Sequence, residues 1–147
     1  YEGTNGIQAM DLLGRKIVGS GGRLLIPWLA EIQEFLTRAN LAPEHTAALT
    51  NALAYLQEAT DWVLAQVGEN PAIVGQCATA YLHLAGLVGY GYMWLRMQAA
   101  AAGQSGAFYQ NKIYLADYFL RQLLPQAQAL HRQIVNTNVS WNINFAS

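Results

Sequence analysis

The stretch Tyr81-Leu82-His83-Leu84-Ala85-Gly86-Leu87-Val88-Gly89-Tyr90-Gly91-Tyr92-Met93-Trp94-Leu95 offers almost no polar side for a helix to turn toward water. At helical spacing Tyr81, Leu84, Ala85, Val88, Tyr92 and Leu95 share one face, while Leu82, Gly86, Gly89 and Met93 form a second. A helix that is apolar all round is a buried one, so residues 72–102 are expected to be a central helix with the rest of the chain packed around it. Each interior glycine costs roughly 1 kcal/mol relative to alanine. The expected return is close approach by a neighbouring helix.

The flanking segments supply those neighbours. On the N-terminal side Pro43-Glu44 opens a helix with proline and an acid in its first turn. Leu49, Leu53, Leu56, Val63 and Val67 then share a face turned away from Asn51, Glu58 and Asp61, and Gly68-Glu69-Asn70-Pro71 stops it. Before it, residues 23–38 carry Pro27 near the first turn and a stripe of Leu25, Trp28, Leu29, Ile32, Phe35 and Leu36 opposite Glu31, Glu34 and Arg38. A first helix is expected over residues 5–18. Gly19-Ser20-Gly21-Gly22 ends it as a flexible break and a candidate domain boundary; no Lys-Ser or Lys-Thr follows, so it is not a phosphate loop.

On the C-terminal side, the turn between Gly103 and Gly106 leads to a fifth helix with Tyr109, Ile113, Ala116, Leu120, Leu123, Leu130 and Ile134 at helical spacing. Pro125 interrupts it and predicts a bend or a break into two helices. Residues 136–147 read as an irregular tail with isolated Trp141, Ile143 and Phe145. No segment alternates with the period of a half-buried strand. The expected fold is therefore all-α: one helix in residues 1–19, an antiparallel bundle of four long helices in residues 20–136, and a tail over 137–147.

A chain of 147 residues that is 53% hydrophobic is long enough to bury a core. Only 12% of residues are charged and the net charge is -1, which provides no basic field for nucleic acid. The apolar run from Leu84 to Leu95 is shorter than the ~20 residues a membrane span needs. A single cysteine, Cys77, cannot close an internal disulfide, which suits a reducing cytoplasm.

The opening Tyr1-Glu2-Gly3-Thr4-Asn5-Gly6-Ile7-Gln8 reads as a tight turn placing the Glu2 carboxylate at a helix start, where a base could stand beside free backbone N–H groups suited to an anion. This octapeptide resembles the signature that opens the last catalytic helix of FAD-dependent acyl-CoA dehydrogenases. Gly6 and Ala9 depart from the side chains common in that family. The pattern at Lys112, Ala116, Tyr118-Phe119 and Leu124-Pro125 is similar to the extra C-terminal helical domain of its larger members. The resemblance implies that residues 1–19 end a catalytic domain whose remainder lies upstream, so that the chain is a fragment. It also implies that Glu2 is the base removing the α-proton of an acyl-CoA, and that Thr4, Asn5 and Gly6 contact FAD. Electrons would pass to an electron-transferring flavoprotein within a homo-oligomeric enzyme of the fatty-acid β-oxidation type. By itself the fragment is expected to be colourless and inactive. The alternative is a helical interaction or oligomerisation module without chemistry.

Other candidates read as structural. His45, His83 and His131 are too far apart for a short metal motif and are expected at the surface or core edge. Cys77 is expected to be an inert core thiol. Tyr81, Tyr90, Tyr92 and Trp94 could line a groove, but aromatics at helical spacing are usually core.

Overall fold

The structure, a computed structural model, describes residues 2–137, with side chains from Thr4 onward; the tail carrying Trp141, Ile143 and Phe145 lies outside the described residues. Six helices make it up: α1 (Glu2–Met10), α2 (Leu25–Arg38), α3 (Pro43–Gln66), α4 (Ile73–Ala101), α5 (Ala107–Tyr118) and α6 (Gln126–Val135). The protein is all-α, and no strand occurs among the described residues. α4 sits at the centre, as its composition requires. Thr60 pairs with Tyr81 and Leu49 meets Gly91, so α3 runs antiparallel to α4. Cys77 lies against Ile134 and Gly91 against Leu124, so α6 is antiparallel to α4 as well. α2 follows the direction of α4, with Trp28 on Gly89 and Phe35 edge-on to Tyr92 at 5.4 Å. The result is a bundle of alternating direction.

One continuous core holds it together. Leu13, Ile32, Leu49, Leu56, Val63, Ile73, Tyr81, Leu84, Val88, Leu95 and Ile134 are completely buried, each contributing on the order of 1.5–3 kcal/mol through the apolar surface removed from water. The glycines of α4 divide. A Cβ on Gly91 would stand 3.2 Å from Leu49 and 3.4 Å from Leu124, so close packing of α3 and of the segment before α6 explains that residue. Gly86 has no such neighbour.

The structure corrects four expectations. The second face of α4 is not fully buried: Met93 is exposed, Leu82 and Gly86 are half-buried along an open groove, and Gly89 is half-buried under Trp28. Periodicity identifies apolar residues, but whether a helix comes to cover them is settled elsewhere in the chain. Similarly, Tyr109 is exposed and Ala116 is the only buried residue of α5. The first helix begins at Glu2, not near Asn5, and runs on as a π-helical stretch, Asp11–Val18. Its wider turns keep Ala9, Leu13 and Ile17, spaced four apart, buried against the core. Finally, the glycine cluster is a built turn rather than a flexible break. The Gly22 N–H donates to the Ile17 carbonyl at 2.8 Å, the Leu24 N–H donates to Ser20 Oγ, and Ser20 Oγ–H donates to the Ile17 carbonyl. Gly21 and Gly22 have φ of 62° and 83°, a region that glycine enters freely.

Pro125 has the expected effect. The helical ladder passes from α5 into a π-helical turn, Phe119–Leu123, closed by the Leu124 N–H on the Phe119 carbonyl at 2.9 Å, and α6 starts anew after Pro125.

Candidate functional site

The candidate site is the first turn of α1. Because the helix already includes Glu2, that residue stands on the helix itself rather than on a turn before it. Gly6 falls beyond the first turn, where a helix uses its own N–H groups. Free N–H groups are therefore offered nearer Thr4 than Gly6. Thr4 and Asn5 are exposed, and among the described residues neither side chain has a hydrogen-bond partner. A Cβ on Gly6 would meet nothing within 4 Å, leaving the outer side of the turn open to a ligand or a covering segment. Ile7 and Met10 are exposed on the same helix. Ala9, fully buried, is where α1 first gains hold of the core.

Further along, Asp11 pairs with Arg15 at 2.8 Å and lies 3.9 Å from Lys16, all three at the surface, where such pairs add little. Gly14 packs on Val74, a Cβ there standing 3.2 Å from its methyl group. This contact sets the π-helical stretch that follows α1 against the N-terminal end of α4. Beyond it Leu12, Ile17, Leu25, Trp28 and Tyr81 line an apolar hollow of about 300 Å³ with Lys16 at its edge.

No three His, Cys, Asp or Glu side chains converge among the described residues. The Cys77 thiol is buried, and burial pushes its pKa up despite a hydrogen bond with Thr137. Such a thiol is a poor nucleophile. Tyr81 and Tyr92 are core residues, Trp94 is half-buried, and Tyr90 is exposed beside a groove with His83, Gly86 and Leu130. Two histidines have specific partners: His131 Nε2 lies 3.0 Å from Glu58 with its ring against Tyr55, and His45 is buried between helices. His45 Nε2 donates to Asp117 Oδ1 at 2.8 Å, and Nδ1 pairs with the Gln98 side chain at 2.9 Å. Arg121 Nε donates to Asp117 at 2.7 Å and its Nη2 reaches Glu44 at 3.4 Å. Hydrogen bonding from Arg121 first, and from His45 second, holds the Asp117 carboxyl below the usual carboxylate range. This latch joins α3, α4 and α5. Its partners are 53 and 72 residues from His45, a separation that leaves no local signal in the sequence.

The bundle matches the family model described as acetyl-CoA dehydrogenase C-terminal like over residues 28–141. The chain belongs to that family. It is 34% identical, over 95% of its length, to the 3-methylmercaptopropionyl-CoA dehydrogenase of Ruegeria pomeroyi, of which it spans 25%. A butyryl-CoA dehydrogenase of Syntrophomonas wolfei is 29% identical over 85% of the chain and 22% of the relative. A broad-specificity linear acyl-CoA dehydrogenase of Mycobacterium tuberculosis is 28% identical over 93% of the chain and 25% of the relative. The chain thus spans about a quarter of the length of these curated relatives. The matched residues run from Trp28 in α2 through α6 of this acetyl-CoA dehydrogenase C-terminal-like domain, whereas α1 and its Glu2 motif precede them. Among the described residues no helix is long and apolar enough to cross a membrane.

Proposed function

We propose that this chain is the C-terminal part of an FAD-dependent acyl-CoA dehydrogenase that oxidises an acyl-CoA thioester to the 2,3-enoyl-CoA. The observation that carries the reading is the family match over residues 28–141, joined to the Tyr1-Glu2-Gly3-Thr4 sequence that precedes it in the chain. The relatives' names support an acyl-CoA as the substrate class. In this reading residues 1–19 close the catalytic domain and residues 20–136 form the helical domain appended to it.

Glu2 takes the α-proton, which the neighbouring thioester carbonyl already acidifies. A carboxylate enclosed by an acyl chain loses hydration and becomes a stronger base than one in water. FAD, when bound, supplies the acceptor for the β-hydride. Thr4 and Asn5 fit its polar edge because both are exposed and unengaged at a helix start, and the open space at Gly6 lets a bulky group approach the backbone. Transfer of electrons to an electron-transferring flavoprotein, a cytoplasmic location and a homo-oligomeric enzyme complete the reading.

The test is Glu2→Gln in the longer enzyme. The variant is expected to retain bound FAD and to lose most acyl-CoA dehydrogenation, because an amide cannot accept the proton. A fully active Gln variant defeats the assignment of Glu2, and a longer protein that binds no flavin defeats the reading as a whole.

A further inference from the structure

Apolar burial decides which face of a helix turns inward, but not how steeply the helix lies, because the attraction is non-directional. Ala9, Leu13 and Ile17 bury one face of α1 and of the π-helical stretch after it, and both segments lie against α4. Thr4, Asn5, Ile7 and Met10 of α1 are exposed. A contact without slack is needed to set the height of such a helix, and Gly14 supplies one. A Cβ there would stand 3.2 Å from a Val74 methyl group, tighter than ordinary van der Waals contact. Val74 lies in the first turn of α4, and a helical valine is held almost entirely to one rotamer, so its methyl group cannot swing aside. On its other side the Gly14 carbonyl accepts the Gly19 N–H at 3.1 Å, just before the built turn at Ser20 to Gly22. Gly14 is thus fixed between α4 and that turn, while Glu2 stands at the far end of the same helical run.

We propose that this contact positions Glu2: Gly14 and Val74 set the height and tilt of α1, so that the helical domain takes part in placing the base at the α-carbon of an acyl-CoA. The inference rests on the assignment of Glu2 as the base. Its size follows from a lever. Ile17, anchored in the core, is three residues from Gly14 and fifteen from Glu2, so at an even rise per residue a shift at Gly14 grows about fivefold at Glu2. A methyl group on Gly14 forces its surroundings to give by a few tenths of an ångström, which moves Glu2 by on the order of 1 Å. A misplacement of that size costs up to about a hundredfold in rate. Neither Gly14 nor Val74 touches the reacting atoms. They are positioning residues, acting on the proton transfer through Glu2.

The test uses the longer, FAD-loaded enzyme and an acyl-CoA carrying hydrogen or deuterium at the α-carbon, with rates taken per bound flavin. Gly14→Ala is expected to lower kcat about tenfold or more while KM changes by less than about threefold. The α-deuterium isotope effect should rise, because proton abstraction becomes the slow step. Adding Val74→Ala should recover most of kcat, since two alanines share the space that glycine and valine fill. Gly75→Ala, the next residue along α4 with open space at its Cβ, should leave kcat and the isotope effect at their native values. If Gly14→Ala does not fold, Val74→Ala alone loosens the same contact from the other side; it is expected to lower kcat about threefold with the same rise in isotope effect, and native values there overturn the proposal. So does a native kcat in folded Gly14→Ala, a loss that Val74→Ala does not recover, or a loss with an unchanged isotope effect. With Glu2→Gln inactive, those results remove the positioning role and leave the base in place; a fully active Glu2→Gln removes both.

Discussion

Two polar pairs tie the same two helices together at opposite ends, and their surroundings give them different worth. Toward one end, Thr60 of α3 meets Tyr81 of α4 at 2.7 Å with both side chains buried; Thr60 Oγ1 donates to the Leu56 carbonyl, also at 2.7 Å, so the Tyr81 hydroxyl donates to Thr60 Oγ1. Toward the other, His45 of α3 meets Gln98 of α4 and Asp117 of α5, with the Asp117 carboxylate 39% exposed. The first pair sits inside a dry core, where an unsatisfied hydroxyl is costly. The second opens to solvent on one side, where water stands ready to replace each lost bond. Burial, more than the number of hydrogen bonds, should rank what each region tolerates.

The largest expected effect is therefore Tyr81→Ala. It removes a fully buried ring and leaves a cavity beside Leu84 and Thr60, with an expected loss of about 3–5 kcal/mol by the scale of aromatic truncations. Chemical denaturation of the purified chain measures it, and a loss below that of any α5 substitution would reverse the ranking. The same burial pushes the Tyr81 hydroxyl up to about 12, with the Thr60 hydrogen bond acting in the opposite direction and Asp61 adding slightly to the rise. A folded value above the unfolded one means that the neutral phenol's contribution to stability is intact below about pH 10 and fades as pH rises toward 12.

Gly22→Ala comes next. A φ of 83° is strained for any side chain, and the new Cβ would stand 3.0 Å from a Leu64 methyl group. The expected cost is about 1–3 kcal/mol, read as a lower denaturation midpoint. No loss, or a gain, would mean that the turn before α2 is loose, as the sequence alone suggested.

Burial also explains what could be read from the sequence. The role of α4 was legible because its stretch lacks a polar side, and α2 and α3 were legible because their apolar stripes face charged residues. Pro43 and Pro125 marked an opening and an interruption because a missing N–H has local consequences. Three things were not legible. A four-residue apolar spacing suits α and π turns alike, so Ala9, Leu13 and Ile17 did not reveal the π-helical stretch. Met93 and Tyr109 are apolar residues at regular positions whose burial depends on a neighbour that does not come. The His45 latch joins residues from three helices, and only the folded chain brings them together. In the candidate site, Glu2 and Thr4 drew attention through the order of residues around them, while the start of the helix at Glu2 was visible only in the structure.

The smallest expected effect belongs to the latch, and its sign can be stated. Arg121, then His45, hold the Asp117 carboxyl below its ordinary value in the folded protein. A group depressed on folding contributes stability at pH values above its unfolded value, near pH 4, and that contribution is lost as pH falls through the lower folded value. Asp117→Asn removes the charge but leaves an oxygen able to accept from His45. The carboxylate is partly exposed and its partner Arg121 lies at the surface, so the melting midpoint at neutral pH should drop by only about 1–2 °C. The gap between the native chain and the variant should then narrow as the solution is acidified, and narrow again at ~1 M salt, where charges are screened within about 3 Å. A gap that instead widens in acid, or that salt leaves untouched, would place this pair with Thr60 and Tyr81 among the buried contacts and remove the contrast between the two ends of α3 and α4.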